Sequence, residues 1–237
     1  MNRNSALLWF PKIKAVGLPV PQTVFVPYSH PECLSIFDGG ESAEFDRLVI
    51  AIREACGEIG YPAFIRSDLT SAKHSGPSAY KITGTDTVIQ PLMETIEDNE
   101  MKLWLERDGP LAIMVRQFLV LPAPFTAFGG LPISHEWRLF ADADQVLCWH
   151  PYWPEEALKD YGDGLPSDWR DQLALMHREP SELPGLKTMA VQAARVCGGG
   201  IWSVDFCQDD NDKFWLLDMA VAENSYHWPG CPEKKAA

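Results

Sequence analysis

The chain has 237 residues, of which 46% are hydrophobic, an ordinary share for one large domain or two closely associated lobes. The formal net charge of -13 argues against a nucleic acid as the main partner, because binding to a phosphate backbone is driven by Lys and Arg. The longest apolar run near the N-terminus, residues 6–10, is too short for a signal peptide or a membrane span. We therefore expect a soluble, cytoplasmic protein without a membrane partner.

The first part of the chain predicts helices that alternate with strands. A short helix over 5–16 is expected to be interrupted by Pro11, and a strand follows over 23–27. Apolar residues recur at helical spacing over 43–60, which predicts an amphipathic helix that ends at Gly60. The next elements are a strand over 63–65 that leads into Arg66, a polar loop over 67–76, a helix over 86–107 and a strand over 111–121.

The second part predicts antiparallel hairpins. Residues 122–133 hold three prolines and two glycines and are expected to be irregular, and 151–184 favour no single assignment. The remaining elements are a hairpin of 136–140 with 145–149, a helix over 187–197 and a hairpin of 201–206 with 213–219. Because hairpins come late in the chain, we predict an α+β fold in two lobes, 1–110 and 111–237.

Two acidic residues, Asp205 and Asp218, lie in the otherwise apolar strands of the last hairpin. They point to one side of the sheet if the connecting loop holds an even number of residues, and to opposite sides if the number is odd. On one side they would repel each other unless a cation lay between them, and Mg²⁺ suits carboxylate oxygens. The alternative is that both face solvent. Glu223 follows the second strand and is either a further metal ligand or a solvated side chain.

A strand that ends in Arg66 precedes a loop rich in hydroxyl groups. Backbone N–H groups, hydroxyls such as that of Ser71 and the cation of Lys73 are what phosphate oxygens require. The Walker pattern is absent, and the alternative is a solvated turn. Further along, Glu136 and Arg138 share one face of a strand and either pair with each other or contact a ligand.

The six cysteines are expected to be reduced thiols, mostly in the core. They lie far apart, at positions 33, 56, 148, 197, 207 and 231. No C-x-x-C pair occurs, and we see no His at zinc-ligand spacing.

Taken together, these segments resemble the ATP-grasp superfamily, in particular a small clade in which Arg replaces the usual nucleotide-binding Lys. The resemblance rests on GLPVPQT (17–23), FIRSDLTSAKHS (64–75), VRQFL (115–119), EWRLF (136–140), WSVDF (202–206) and WLLDMAVAEN (215–224). It spans nearly the whole chain, and the order and spacing of the motifs carry it.

The resemblance implies ATP between two α+β lobes, with Mg²⁺ as the metal. It implies nucleotide contacts from Arg66, Ser71, Lys73, Gln117, Phe118, Leu119 and Glu136, catalytic roles for Arg138 and Lys73, and metal ligands Asp205, Asp218 and Glu223. Adenine would lie near Gln117 to Leu119, the ribose near Glu136, and Arg138 near the phosphates or an acyl phosphate. The family commonly has Asn at the position of Ala220, and the separate N-terminal domain of larger members is not expected here.

The function that the resemblance implies is an ATP-dependent ligase that joins a carboxylate to an amine or a thiol. Its acceptor would be a small molecule or a peptide. The alternative is an ATP-binding assembly factor that clamps a protein client without ligase turnover, because the eukaryotic ATP-grasp chaperone that assembles a translation-initiation factor is similar in outline. The pattern of residues predicts no particular oligomeric state.

Overall fold

The computed structural model of the protein describes residues 2–70, 76–105, 111–161 and 164–231. The helices are α1 (Ala6–Ala15), α2 (His30–Cys33), α3 (Ala43–Ile59), α4 (Ile89–Leu105), α5 (Glu155–Tyr161), α6 (Trp169–Met176) and α7 (Leu183–Cys197). The strands are β1 (Thr23–Tyr28), β2 (Ala63–Ser67), β3 (Lys81–Ile82), β4 (Leu111–Gln117), β5 (Phe125–Ala127), β6 (Leu131–Ile133), β7 (Glu136–Ala141), β8 (Val146–Pro151), β9 (Trp202–Gln208) and β10 (Phe214–Val221). Within these described segments, no helix combines the length and the apolar character that crossing a bilayer requires.

The chain forms two compact units. Unit 1 comprises Met1–Leu7 and Pro21–Leu119, and unit 2 comprises Leu8–Val20 and Val120–Ala237. Among the described residues, unit 1 has a four-stranded sheet in the order β1-β4-β2-β3, and unit 2 has one in the order β10-β9-β7-β8 with a separate β5-β6 pair. Each strand pair is antiparallel. This arrangement of helices and antiparallel sheets confirms the predicted α+β class.

The core of unit 1 lies between its sheet and the helices α3 and α4. Helix α3 packs on β1 and β4, and α4 packs on β2. The predicted amphipathic pattern of α3 is confirmed, because its apolar positions Phe45, Leu48, Val49, Ile52 and Cys56 are all buried. Ser42 accepts a hydrogen bond from the N–H of Phe45 at the start of the helix, and Gly60 ends it with a positive φ of 98°, a value that favours glycine.

The core of unit 2 lies under one face of its large sheet. Helix α7 packs on β7, β8 and β9 and buries small residues such as Ala190 and Ala193. Leu139 of β7 and Val204 of β9 are opposed and fully buried. Because side chains alternate along a strand, the neighbouring residues Arg138 and Asp205 point to the other face. The fold thus separates an apolar face from a polar one.

Several predicted boundaries require correction. Helix α1 is continuous through Pro11. The proline removes one helical hydrogen bond, but the flanking Trp9, Phe10 and Ile13 are almost completely buried, and their packing offsets that loss. Strand β4 ends at Gln117, four residues before the predicted end at Leu121.

Two segments without predicted regular structure contain it. Strands β5 and β6 pair within 122–133, where the prolines sit outside the ladder or at an edge position. The segment 151–184 holds α5, α6 and the first two residues of α7. In α6 the residues Trp169, Leu173 and Met176 are buried at helical spacing, a signal that the neighbouring Pro and acidic residues obscure in the sequence.

Candidate functional site

Three charged residues form a row across the polar face of the unit 2 sheet. Arg138 of β7 lies directly opposite Asp205 of β9. Asp205 in turn lies directly opposite Asp218 of β10. Directly opposed residues share a face and have their Cβ atoms about 5 Å apart. The hairpin therefore brings the two carboxylates together, with a guanidinium beside them.

A β-bulge produces this alignment. The loop between Gln208 and Phe214 holds the five residues 209–213, and an odd loop by itself would place the two acids on opposite faces. The register shifts between Leu216 and Asp218, however, so that one additional residue is inserted into β10. This insertion returns Asp218 to the face of Asp205.

Arg138 and Asp205 form a two-pronged ion pair. Nε and Nη2 of Arg138 donate to Oδ1 and Oδ2 of Asp205, both at 2.8 Å. The side chains are only 16% and 9% exposed. Burial disfavours the charged guanidinium, but the charge and hydrogen bonds of Asp205 outweigh it, so the pKa of Arg138 is raised. The structure thus pairs Arg138 with Asp205, while Glu136 accepts a hydrogen bond from the hydroxyl of Ser134 at 2.9 Å.

The oxygen donors in this row suit a hard divalent cation. Magnesium is commonly held by one or two carboxylates together with substrate phosphates, and Asp205 with Asp218 supplies such a pair. Asp218 Oδ1 also accepts the N–H of Met219 at 2.9 Å, which fixes the side-chain direction. Ala220 contributes no side-chain oxygen. Glu223 is exposed on the short 3-10 turn Ala222–Asn224, just beyond the strand.

In unit 1, the predicted phosphate-binding strand carries a buried arginine. Arg66 is 7% exposed, and its Nε donates to the carbonyl of Ser67 at 3.0 Å. The neighbouring Asp68 is buried, and this burial raises its pKa even though it accepts hydrogen bonds from Ser5 and Ala112. Ser71 and Lys73 lie outside the described residues.

The predicted adenine-binding segment follows β4. The N–H of Gln117 donates to the carbonyl of Gln22 at 2.8 Å, and its side-chain Oε1 accepts the N–H of Gln22 at 3.4 Å. The ring of Phe118 lies under Nζ of Lys81, 4.8 Å from the ring centroid. Leu119 is half-buried. Lys81 was missed in the sequence because strand β3 is only two residues long.

A second cluster in unit 2 was also missed. Cys148, His150, His227 and Cys231 each offer a ligand atom, and these atoms lie within 4.8 Å of one another. The expectation that no His lies at zinc-ligand spacing from a Cys is wrong, because three residues separate His227 from Cys231. Cys148 and His150 are separated by one residue and meet because they share a face of β8. All six cysteines are free of disulfide bonds, as predicted, but only Cys33, Cys56 and Cys207 are buried, so the expectation that most of them lie in the core is wrong.

Comparison with known proteins identifies the fold. No family model and no curated protein matches the sequence. N5-carboxyaminoimidazole synthase from Aspergillus clavatus, solved with ADP and 5-aminoimidazole ribonucleotide, is 12% identical, with a TM-score of 0.53 over 92% of this chain and 44% of that chain. Cdc123 from Schizosaccharomyces pombe is 11% identical, with a TM-score of 0.59 over 92% of this chain and 83% of that chain. The chain spans less than half the length of the synthase. At such identities the likeness shows the fold alone, which is an α+β ATP-grasp fold.

Proposed function

We propose that the protein is an ATP- and magnesium-dependent ligase that activates a carboxylate for attack by an amine or a similar nucleophile. The observation that carries this proposal is the row of Arg138, Asp205 and Asp218 on the polar face of the unit 2 sheet, in a chain with an ATP-grasp fold. The acceptor would be a small molecule or a peptide.

The two aspartates would hold the metal. When bound there, Mg²⁺ would neutralise charge on the phosphate oxygens of ATP. Glu223, on the turn that leaves β10, is our candidate for a further ligand. The ion pair with Asp205 fixes the guanidinium of Arg138 in one orientation and lowers the entropy that it would lose on contacting a substrate.

Arg138 would stabilise negative charge that develops during the reaction. A guanidinium has five N–H donors, and its described contacts, two with Asp205 and one of 3.4 Å with the carbonyl of Tyr226, use three of them. Two donors are then available for a phosphoryl or acyl oxygen, a contact that gains strength where water is excluded.

Residues of unit 1 would bind the nucleotide. We assign Arg66, Ser71 and Lys73 to the phosphates, where a buried guanidinium and a loop with hydroxyls complement anionic oxygens. Gln117, Phe118 and Leu119 are assigned to the adenine ring. Glu136 of unit 2, a residue that is 7% exposed, is assigned to the ribose hydroxyls.

The proposed reaction has two steps. A carboxylate oxygen of the substrate attacks the γ-phosphorus of ATP, and the bond to the bridging oxygen breaks to release ADP. The amine then attacks the carbonyl carbon of the acyl phosphate, inorganic phosphate leaves, and the amine loses a proton. The cations of the site stabilise charge in both steps, so that no covalent enzyme nucleophile is needed.

Replacement of Asp218 by Asn tests the metal assignment. We expect Asp218→Asn to weaken Mg-ATP binding at least about 10-fold in calorimetric titration, because one of two charged oxygen ligands is lost. Binding of ATP in the presence of EDTA should stay unchanged. Asp210→Asn, in the exposed turn of the same hairpin, is the matched control and should bind Mg-ATP as the wild type does. Equal Mg-ATP affinity in Asp218→Asn and the wild type would show that this assignment is wrong.

A second candidate function is an ATP-binding assembly factor that holds a protein client without turnover. Both oxygens of Asp205 accept hydrogen bonds from Arg138, and Ala220 stands where the family commonly has Asn, so the hairpin offers a metal no third side-chain oxygen at that position. Phosphate release in the presence of amino acids and short peptides separates the two functions. Acceptor-dependent release supports the ligase, and background release despite ATP binding supports the assembly factor.

A further inference from the structure

Two cysteines and two histidines meet at the edge of the unit 2 sheet. Cys148 and His150 belong to β8, which is an edge strand, and His227 and Cys231 follow β10 in the segment after the 3-10 turn. The four candidate ligand atoms lie within 4.8 Å of one another. We propose that these four residues bind a zinc ion, and this proposal does not rest on the proposed ligase function.

Strand geometry explains why the first two ligands converge. Cys148 and His150 are two residues apart on β8, so their side chains point to the same face. Their partners on β7 are Phe140 and Arg138. The ring of His227 lies on Phe140, with ring centroids 4.2 Å apart, and 4.9 Å from the ring of His150. The C-terminal segment therefore passes over the residues that flank the two ligands of β8.

The donor set favours zinc over other common ions. Two sulfur and two imidazole donors are the ligands of structural tetrahedral zinc sites, and they suit magnesium or calcium poorly. In such a site the ligand atoms are about 3.3 to 3.8 Å apart, since Zn–S is about 2.3 Å and Zn–N about 2.0 to 2.1 Å. The widest separation in the cluster would have to contract by about 1 Å, and the 2.9 Å separation of Cys148 Sγ and His227 Nε2 would have to widen by about 0.6 Å. Small side-chain rotations supply changes of this size.

In the cluster, one sulfur and one imidazole nitrogen are in contact, and a second imidazole has a nitrogen without a hydrogen bond among the described residues. Cys148 Sγ is 2.9 Å from Nε2 of His227. His150 is 9% exposed, and its Nε2 has no hydrogen-bond partner among the described residues. A buried polar atom without a hydrogen bond destabilises the folded state, and a bond from this nitrogen to a metal ion would remove that destabilisation.

A zinc ion here would have a structural role with a consequence for the neighbouring charged row. Four protein ligands close the coordination shell, which leaves no position for a substrate. Tyr226, next to His227, accepts a hydrogen bond from Arg138 through its carbonyl at 3.4 Å. Trp228 stacks on His150 with centroids 5.9 Å apart and rings inclined by 6°. Zinc would hold this segment against β8 and thereby help to keep Arg138 in place.

Metal analysis of the full chain tests the proposal without any variant. The wild type, purified in a reducing buffer free of chelators, is expected to contain about one zinc ion per chain, measured by inductively coupled plasma mass spectrometry. Replacement with Co²⁺ should give the intense visible bands of a tetrahedral site together with a thiolate-to-cobalt band in the near ultraviolet. Absence of zinc, or a weak octahedral cobalt spectrum without the thiolate band, would overturn the proposal.

Cysteine variants locate the ion. Cys148→Ser and Cys231→Ser should each weaken zinc binding more than about 100-fold in competition with a chromophoric chelator, because a thiolate ligand is lost. Cys197→Ser, at the end of α7, is the control and should keep the wild-type affinity. Zinc affinity that stays at the wild-type level in Cys148→Ser would show that the ion lies elsewhere. If nucleotide binding fails while zinc binding persists, only the proposed function is wrong.

Discussion

Arg138 is the residue on which the polar face of unit 2 depends most. Its guanidinium contacts Asp205 of β9, and the centroid of the Tyr152 ring lies 4.8 Å from its guanidinium carbon. Its charge is compensated by one carboxylate through two parallel hydrogen bonds. A two-pronged pair of this kind is worth more than a single contact because it fixes both partners in one geometry.

We predict that Arg138→Ala lowers the free energy of unfolding by about 3 kcal/mol, because Asp205 would remain largely buried without its counter-charge. Urea denaturation followed by circular dichroism measures this change. The matched control is Arg170→Ala, which breaks the ion pair with Glu155, where the side chains are 57% and 52% exposed. The control should change stability by less than about 1 kcal/mol. Equal effects of the two substitutions would contradict the prediction.

At the scale of elements, α3 and the β9–β10 hairpin differ in what sets their geometry. Helix α3 has its apolar period, its N-cap and its terminal glycine in one continuous stretch, from Ser42 to Gly60. The strands and the turn of the hairpin are equally clear in the sequence. The alignment of Asp218 with Asp205, however, depends on the bulge between Leu216 and Asp218. The position of this bulge depends on how β10 packs against β9 in the sheet. No local pattern in the sequence predicts it.

We predict that Ser42→Ala destabilises the protein by about 1 kcal/mol, because the N–H of Phe45 would lose its acceptor at the first turn of α3. The loss includes the 2.6 Å hydrogen bond that Ser42 donates to the carbonyl of Glu32. Thermal or urea unfolding measures the change. Asp168→Ala is the comparison, since Asp168 precedes α6 without a capping side-chain bond, and it should cost less than about 0.5 kcal/mol.

At the scale of the whole molecule, each unit has its own sheet and its own hydrophobic core. In unit 1 the core is a contiguous cluster that joins α3 and α4 to the strands, and Ile52, Ile65 and Ile113 within it are fully buried. Such close packing makes stability sensitive to the loss of single methylene groups.

We predict that Ile52→Ala lowers the free energy of unfolding by about 3 kcal/mol through the lost transfer energy and the cavity that remains. Ile50 of the same helix is 57% exposed, so Ile50→Ala should change stability by less than about 0.5 kcal/mol. The two variants share the same substitution and the same helix, and chemical denaturation compares them directly. Similar losses in both would mean that α3 does not bury the face assigned to it.

The sequence by itself determined the elements whose signals are local. The helical period of α3, the two late hairpins and the α+β class could be predicted because each depends on residues that are neighbours along the chain or across a short turn. Where local rules competed with packing, as at Pro11 within α1 and in 122–133, the prediction was wrong.

Only the tertiary structure decided which functional groups meet. Arg138 and Asp205 are 67 residues apart, and Cys148 and His227 are 79 residues apart. Their contact depends on strand order and on register, and a shift of one residue reverses the face of every side chain that follows. The sequence therefore predicted the two carboxylates as candidates, whereas the bulge in β10 placed them on one face. The path of the C-terminal segment, from β10 to the opposite edge strand β8, brought the cysteines and histidines together.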